Sequence, residues 1–226
     1  MKSHPLSHKT MENTPQPIDA HDALIVIDVQ NCFLPGGSLA VADGNQIIPI
    51  VNHLATQFTN VVLTQDWHPA DHISFFTKHP GKKAFDSIQL PYGQQTLWPV
   101  HGVQGTEDAA LAPGLHTPEA QLILRKGFNP QIDSYSAFLE ADLKTDTGLT
   151  GYLQGRGIKN LYLCGLATDF CVAWSALDAI KFGFNTYVIE DATRAIDLNG
   201  SLDAAWQKML SAGVKRVQSQ SLSRFI

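Results

Sequence analysis

The segment "GLATDFC", Gly165–Cys171, runs out of an apolar stretch and into one with helical spacing. It places the Cys171 thiol in the first turn of that helix, with Thr168 as the expected N-cap. Free N–H groups and the positive dipole end favour a thiolate there. The same N–H groups can hold a tetrahedral oxyanion. Two other apolar runs end in groups that suit such a nucleophile. "ALIVID" ends in Asp28, which could accept the thiol proton, and "AQLILRK" ends in Lys126, which could stabilise thiolate and carboxylate together. A fourth group of residues has metal-ligand character. "DWHPADH" offers Asp66, His68 and His72, and "LWPVHG" adds His101. In Asp-x-His the two side chains leave an extended backbone on the same side. Each residue also has a plain structural reading. A strand-end Asp caps a turn, a Lys is solvated, a Cys packs in the core, and His72 and His101 bridge loop backbone. Their convergence on one edge favours chemistry.

That edge exists only if the elements around it form a parallel sheet. Strands are expected at Ala23–Asp28, Asn60–Gln65, Ala120–Lys126, Asn160–Leu166, Asn185–Asp191 and Val214–Gln218. Helices are expected at Gln46–Phe58, Asp169–Phe182 and Ser201–Ala212, the last two followed by Gly183 and Gly213. Alternating strands and helices predict an α/β domain with a six-stranded, mainly parallel sheet covered on both faces. In such sheets ligands bind beyond the carboxyl ends of the strands. Asp28, Asp66, Lys126 and the loop leading to Cys171 all lie there. Residues 66–115 are rich in Pro, Gly, His and aromatics and show no period, so they read as a long functional loop region. "GRGIKN", Gly155–Asn160, precedes a strand and therefore fails as a dinucleotide-binding fingerprint.

The bulk composition narrows the function classes. The chain has 226 residues, 44% hydrophobic, with 16 basic and 21 acidic residues and a net charge of −5. That balance argues against nucleic acid or an anionic membrane as a partner. No apolar run reaches the roughly 18–20 residues of a membrane span. Residues 1–20 are polar, lack the apolar segment of a secretory signal, and are expected to be a flexible N-terminal extension to a single domain over residues 21–226. Three cysteines, with no CxxC pair, suit a reducing cytoplasm and argue against a Cys164–Cys171 disulfide. Cys164 is expected as an inert thiol within a strand, and Cys32 lies near the site. His4, His8, His21, His53, His79 and His116 read as surface residues.

Several blocks together resemble one family. "LIVIDVQNCFLPGGSLAV", "VVLTQDWHPADHISF", "LWPVHGVQGT", "RKGFNPQIDSYSAF" and "GLATDFCVAWSALDA" look like the nicotinamidases of the isochorismatase-like cysteine hydrolase group, in the same order and at compatible spacing from about Ala23 to the C-terminus. The resemblance implies hydrolysis of nicotinamide, and of pyrazinamide, through a Cys thioester. It implies a triad of Asp28, Lys126 and Cys171, and a cis Leu166–Ala167 peptide with the Ala167 and Cys171 N–H groups as oxyanion hole. It implies one divalent ion, zinc first with iron or manganese as alternatives, held by Asp66, His68 and His101, with His72 as a further ligand or neighbour. Phe33, Trp98 and Tyr135 match its aromatic walls. A homo-oligomer is compatible with it. Where the family reads "QNDF" this chain has Cys32, and where the family often has Cys after the third ligand this chain has Gly102. The rivals are another small-amide hydrolase of the group, an isochorismatase, which needs no cysteine nucleophile, and a non-catalytic interaction module.

Overall fold

The computed structural model describes residues 16–224. In chain order the strands are β1 (Gln16–Ile18), β2 (Asp22–Ile27), β3 (Asn60–Asp66), β4 (Ser87–Leu90), β5 (Gly93–Thr96), β6 (Ala120–Lys126), β7 (Asn160–Leu166), β8 (Asn185–Arg194), β9 (Lys215–Val217) and β10 (Leu222–Arg224). The α-helices are α1 (Ile48–Ala55), α2 (Leu149–Gly155), α3 (Ala173–Lys181) and α4 (Ser201–Ser211).

The main sheet has six strands in the order β6-β3-β2-β7-β8-β9. Every pairing within it is parallel. The chain builds outward from β2 on one side, then returns to β7 and builds outward on the other. The order therefore reverses between β2 and β7, and the carboxyl ends of those two strands open a crevice. Period-two alternation divides the core between the two faces. Leu24, Val26, Tyr162 and Cys164 pack toward α1 with Val51, Leu54 and Ala55. Ala23, Ile25, Ile27, Leu161 and Leu163 pack toward α2, α3 and α4 with Leu153, Ala176 and Met209. Continuous apolar runs in β2 and β7 follow from this burial on both sides.

Several elements differ from the sequence expectation. The first helix begins with a 3-10 turn, Gly44–Ile47, and becomes α-helical only at Ile48, where Pro49 occupies the first turn. The helix after β7 begins as a wide π turn over Thr168–Val172, because the Val172 N–H reaches back to the Ala167 carbonyl at 3.2 Å. Ala167, not Thr168, occupies the cap position, and no side chain caps that end. β8 continues three residues past its expected end. Residues 66–115 contain the antiparallel β4–β5 hairpin, and α2 was not anticipated. Residues 1–15 of the expected flexible extension lie outside the described residues. Its remainder is ordered: β1 pairs with β10, and Ile18 is buried. No helix among the described residues is long and apolar enough to cross a membrane. His79 is half-buried, its Nε2 2.7 Å from the Ile73 carbonyl, rather than a surface residue.

The crevice depends on a close approach of two backbones. Ile27 of β2 pairs with Gly165 of β7, where φ is 113°. A Cβ at Gly165 would collide with the Ile27 carbonyl oxygen. The two strands that carry Asp28 and Cys171 can be neighbours because this position has no side chain. Gly165→Ala is expected to lower stability by ~3 kcal/mol or more, through a forced positive φ and backbone overlap. An unchanged urea midpoint would rule this out.

Candidate active site

Lys126 is the centre of the site. Its side chain is fully buried, and its ammonium lies 2.5 Å from Asp66 Oδ1, 2.9 Å from Asp28 Oδ2, 2.9 Å from the Ser134 carbonyl and 3.4 Å from Cys171 Sγ. Asp28, Asp66 and Cys171 offer donor atoms within 4.8 Å of one another, and the ammonium supplies the positive charge among them. Lys126 donates hydrogen bonds to Asp66, Ser134 and Cys171, which uses its three hydrogens. Asp28 Oδ2 is consequently at ion-pair distance yet accepts no hydrogen bond of good angle.

Burial and charge compete at each group. Burial would lower the Lys126 pKa, but Asp28, Asp66 and Cys171 outweigh it and hold the ammonium well above its ordinary value. Burial raises the Asp66 carboxyl, but Lys126 and His68 more than offset it and hold the group well below the usual carboxylate range. At Asp28 burial wins over Lys126, so its carboxyl stands above the ordinary value and is a stronger base. At Cys171 burial also wins over Lys126 and pushes the thiol well up. Burial thus works against the pull of the helix terminus toward thiolate, and the thiol keeps its proton for Asp28 to accept. Removing the sulfur from water costs more than the turn and the ammonium return.

Asp66 also faces a second set of groups. Its Oδ2 lies 3.6 Å from His68 Nε2 and 3.8 Å from His101 Nε2. His68 Nδ1 is 2.8 Å from the Gly127 carbonyl, and His101 Nδ1 is 2.8 Å from the Pro99 carbonyl. A carbonyl only accepts, so each Nδ1 carries the hydrogen and each Nε2 lone pair faces inward. Ligands around one ion at bond lengths of about 2.0–2.2 Å stand roughly 3–3.5 Å apart, so a small inward movement closes this set on a divalent ion. The donor set fits such an ion. His72 is arranged differently. Its ring lies tilted against His68 with centroids 4.3 Å apart, its Nδ1 faces Ser74 Oγ at 2.7 Å, and it groups with His68 and Asp133 rather than with Asp66. Burial and the neighbouring His68 push its pKa down to about 4.

One pocket joins these groups, with Asp66, His68, His101, Ala167 and Cys171 all in its wall. The Leu166–Ala167 peptide is cis. Phe33, Trp98 and Tyr135 line the same cavity, and Trp98 Nε1 donates to the Tyr135 hydroxyl at 3.0 Å. Of the residues expected in the triad, the oxyanion hole, the metal set and the aromatic walls, all but His72, Lys126 and Asp28 line this space, and Lys126 and Asp28 stand next to Cys171. Sequence reasoning missed Phe170, whose ring lies 4.8 Å from that of Trp98, and Asp133, which accepts from the Ser134 N–H and Gln95 Nε2. It also missed Thr64, whose hydroxyl donates to Asp28 Oδ1 at 2.6 Å. Cys164 is buried in the core and Cys32 is buried within the 3-10 turn that follows β2, and all three cysteines are free.

Gly127, at φ 68°, lets the His68 ring lie against the backbone that holds it, and a Cβ there would collide with the ring. Gly127→Ala is expected to swing His68 away and weaken metal binding by about tenfold or more, read by chelator competition. Unaltered affinity would remove Gly127 from this role.

The comparisons with known proteins agree with the geometry. The family described as isochorismatase domain matches residues 22–221. The chain is 63% identical over 200 residues to a nicotinamidase of Acinetobacter baylyi, covering 88% of this chain and 94% of that one. It superposes on an L. infantum protein solved in complex with nicotinate with a TM-score of 0.82, at 38% identity, covering 93% and 100% of the two chains. It superposes on a pyrazinamidase of Pyrococcus horikoshii in complex with zinc with a TM-score of 0.72, at 37% identity, covering 88% and 99%. With a parallel sheet, a buried Asp–Lys–Cys cluster and a family match over nearly its whole described length, this chain belongs to the isochorismatase family.

Proposed function

We propose that this chain is a nicotinamidase, an amidohydrolase that converts nicotinamide to nicotinate and ammonia. The observation that carries the reading is the shared pocket: a thiol backed by an Asp–Lys pair, a metal-ligand set and aromatic walls face one space. High identity to a nicotinamidase and a related fold solved with nicotinate support it. Pyrazinamide, a ring of the same size with the same carboxamide, is a second substrate.

Asp28 Oδ2 takes the Cys171 proton as the sulfur attacks the carboxamide carbon. Coupling the two steps avoids a free thiolate in a site where burial disfavours one. The Ala167 and Cys171 N–H groups hold the oxyanion. The C–N bond then breaks, and the amine leaves as ammonia with the proton carried by Asp28. Water, deprotonated by Asp28, attacks the thioester carbon. The C–S bond breaks, nicotinate forms, and the proton returns to sulfur. Lys126 keeps its charge throughout and balances whichever neighbour is negative. Phe33, Trp98 and Tyr135 pack against the ring and exclude water.

Asp66, His68 and His101 would hold the divalent ion, with zinc the first choice from the zinc-bound relative and from two imidazoles and a carboxylate, and iron or manganese as alternatives. Bound there, such an ion would supply a Lewis-acidic centre for a ring nitrogen.

Purified protein should release ammonia from nicotinamide. Cys171→Ala should reduce turnover by at least about 10³-fold, a loss in the range of nucleophile removal, while metal content stays at the wild-type level. Ammonia release by the variant at a rate near wild type would refute the assignment. His68→Ala should strip the metal and raise KM, and a variant that keeps its full metal complement would exclude His68 as a ligand.

A further inference from the structure

We propose that Thr64 is the positioning residue of the base: its hydroxyl fixes the Asp28 carboxylate so that Oδ2, rather than Oδ1, faces the Cys171 thiol. Thr64 lies within β3 and is wholly buried. Its Oγ1 accepts from the Asp28 N–H at 3.1 Å and donates to Asp28 Oδ1 at 2.6 Å. An N–H only donates and an ionised carboxylate only accepts, so the direction of both bonds is fixed, and the single hydroxyl hydrogen is committed to Oδ1.

Asp28 needs this support because it has left the sheet. The last paired residue of β2 is Val26 against β3 and Ile27 against β7. Asp28 itself turns to φ 47°. Its backbone N–H would otherwise have no strand partner, and its side chain could rotate about two bonds. Thr64 holds both at once. With Oδ1 occupied, the oxygen left to take a proton is Oδ2, which accepts no hydrogen bond, sits 2.9 Å from the Lys126 ammonium and belongs to the carboxylate grouped with Cys171 Sγ within 4.8 Å. In the transfer the S–H bond breaks, an O–H bond forms at Oδ2, and the electron pair stays on sulfur.

Thr64 stands two residues before Asp66 on the same strand. A purely structural role would therefore register at the metal-ligand set as well, whereas a positioning role lowers turnover with metal binding and KM intact. The inference rests on the amidohydrolase reading, so wild-type protein is assayed alongside. Thr64→Val keeps the shape and removes the hydroxyl, and Thr64→Ser restores the hydroxyl without the methyl. The expected result is a 10- to 100-fold fall in kcat for T64V, with KM for nicotinamide and metal content close to wild type and a lower thermal midpoint that still leaves the variant folded at the assay temperature, and recovery of most of kcat in T64S. An active wild type with T64V within twofold of its kcat overturns the Thr64 assignment alone. So does a T64V variant that loses metal in step with activity, or a T64S variant as slow as T64V. A wild type that releases no ammonia overturns both readings together.

Discussion

The buried Lys126 ammonium is the interaction on which the site depends. Removing a cation from water costs several kcal/mol even after relaxation, and only close opposite charge with further hydrogen bonds returns it. Here two carboxylates and a backbone carbonyl do so at 2.5–2.9 Å. The arrangement is constrained in both directions. Without Lys126, Asp28 and Asp66 would be two buried like charges beside a nucleophile. Without either carboxylate, the ammonium would be uncompensated. The cluster explains why three residues from three strands must be kept together. It also bears on Cys171: burial keeps the sulfur protonated, and the ammonium that opposes this is already shared between two carboxylates.

Asp66 extends this cluster outward. One of its oxygens belongs to Lys126 and the other to the two imidazoles. Gly127 follows directly on Lys126, and its carbonyl orients His68, so the end of β6 serves both halves of the site. Binding the ring and attacking its carboxamide are therefore supported by overlapping residues. The aromatic wall is fixed in a similar way, since Tyr135 is tied to Trp98 and Gln95 and is pressed against Phe170.

Much of this was legible in the sequence where apolar runs were long and ended in reactive residues. Ala120–Lys126 and Asn160–Leu166 appear as strands with the expected limits, because burial on both faces leaves an uninterrupted signal in β7 and because the reactive Lys126 closes β6. α2 was not legible, since "LTGYLQG" has glycines at two of its seven positions and too few turns to show a period. The β4–β5 hairpin consists of four-residue, largely polar strands. Phe170 looked like one more apolar residue of a helix. Asp133 sat in a loop, and Thr64 looked like one more β-branched residue of a strand. Thr64 meets Asp28 and Asp133 meets Gln95 across 36 and 38 residues of chain, and local pattern cannot report such contacts. The resting state of Cys171 was hidden for another reason: helix position is visible in a sequence, whereas desolvation is a property of everything packed around it.

The strand order has a consequence for how far this site can be altered. Asp28 follows β2, and Lys126 ends β6, with β3 between them. Adjacent strands stand about 4.8 Å apart, so the two backbones are separated by nearly twice that. A four-carbon stem can lie across β3 and bring its terminal nitrogen to Asp28, but a short cationic side chain cannot. The ruler for the catalytic groups is thus the hydrogen-bond spacing of the sheet, which no loop insertion changes. New chemistry on this frame must come from exchanging groups at fixed positions, because the distances between those positions are set by the strands themselves.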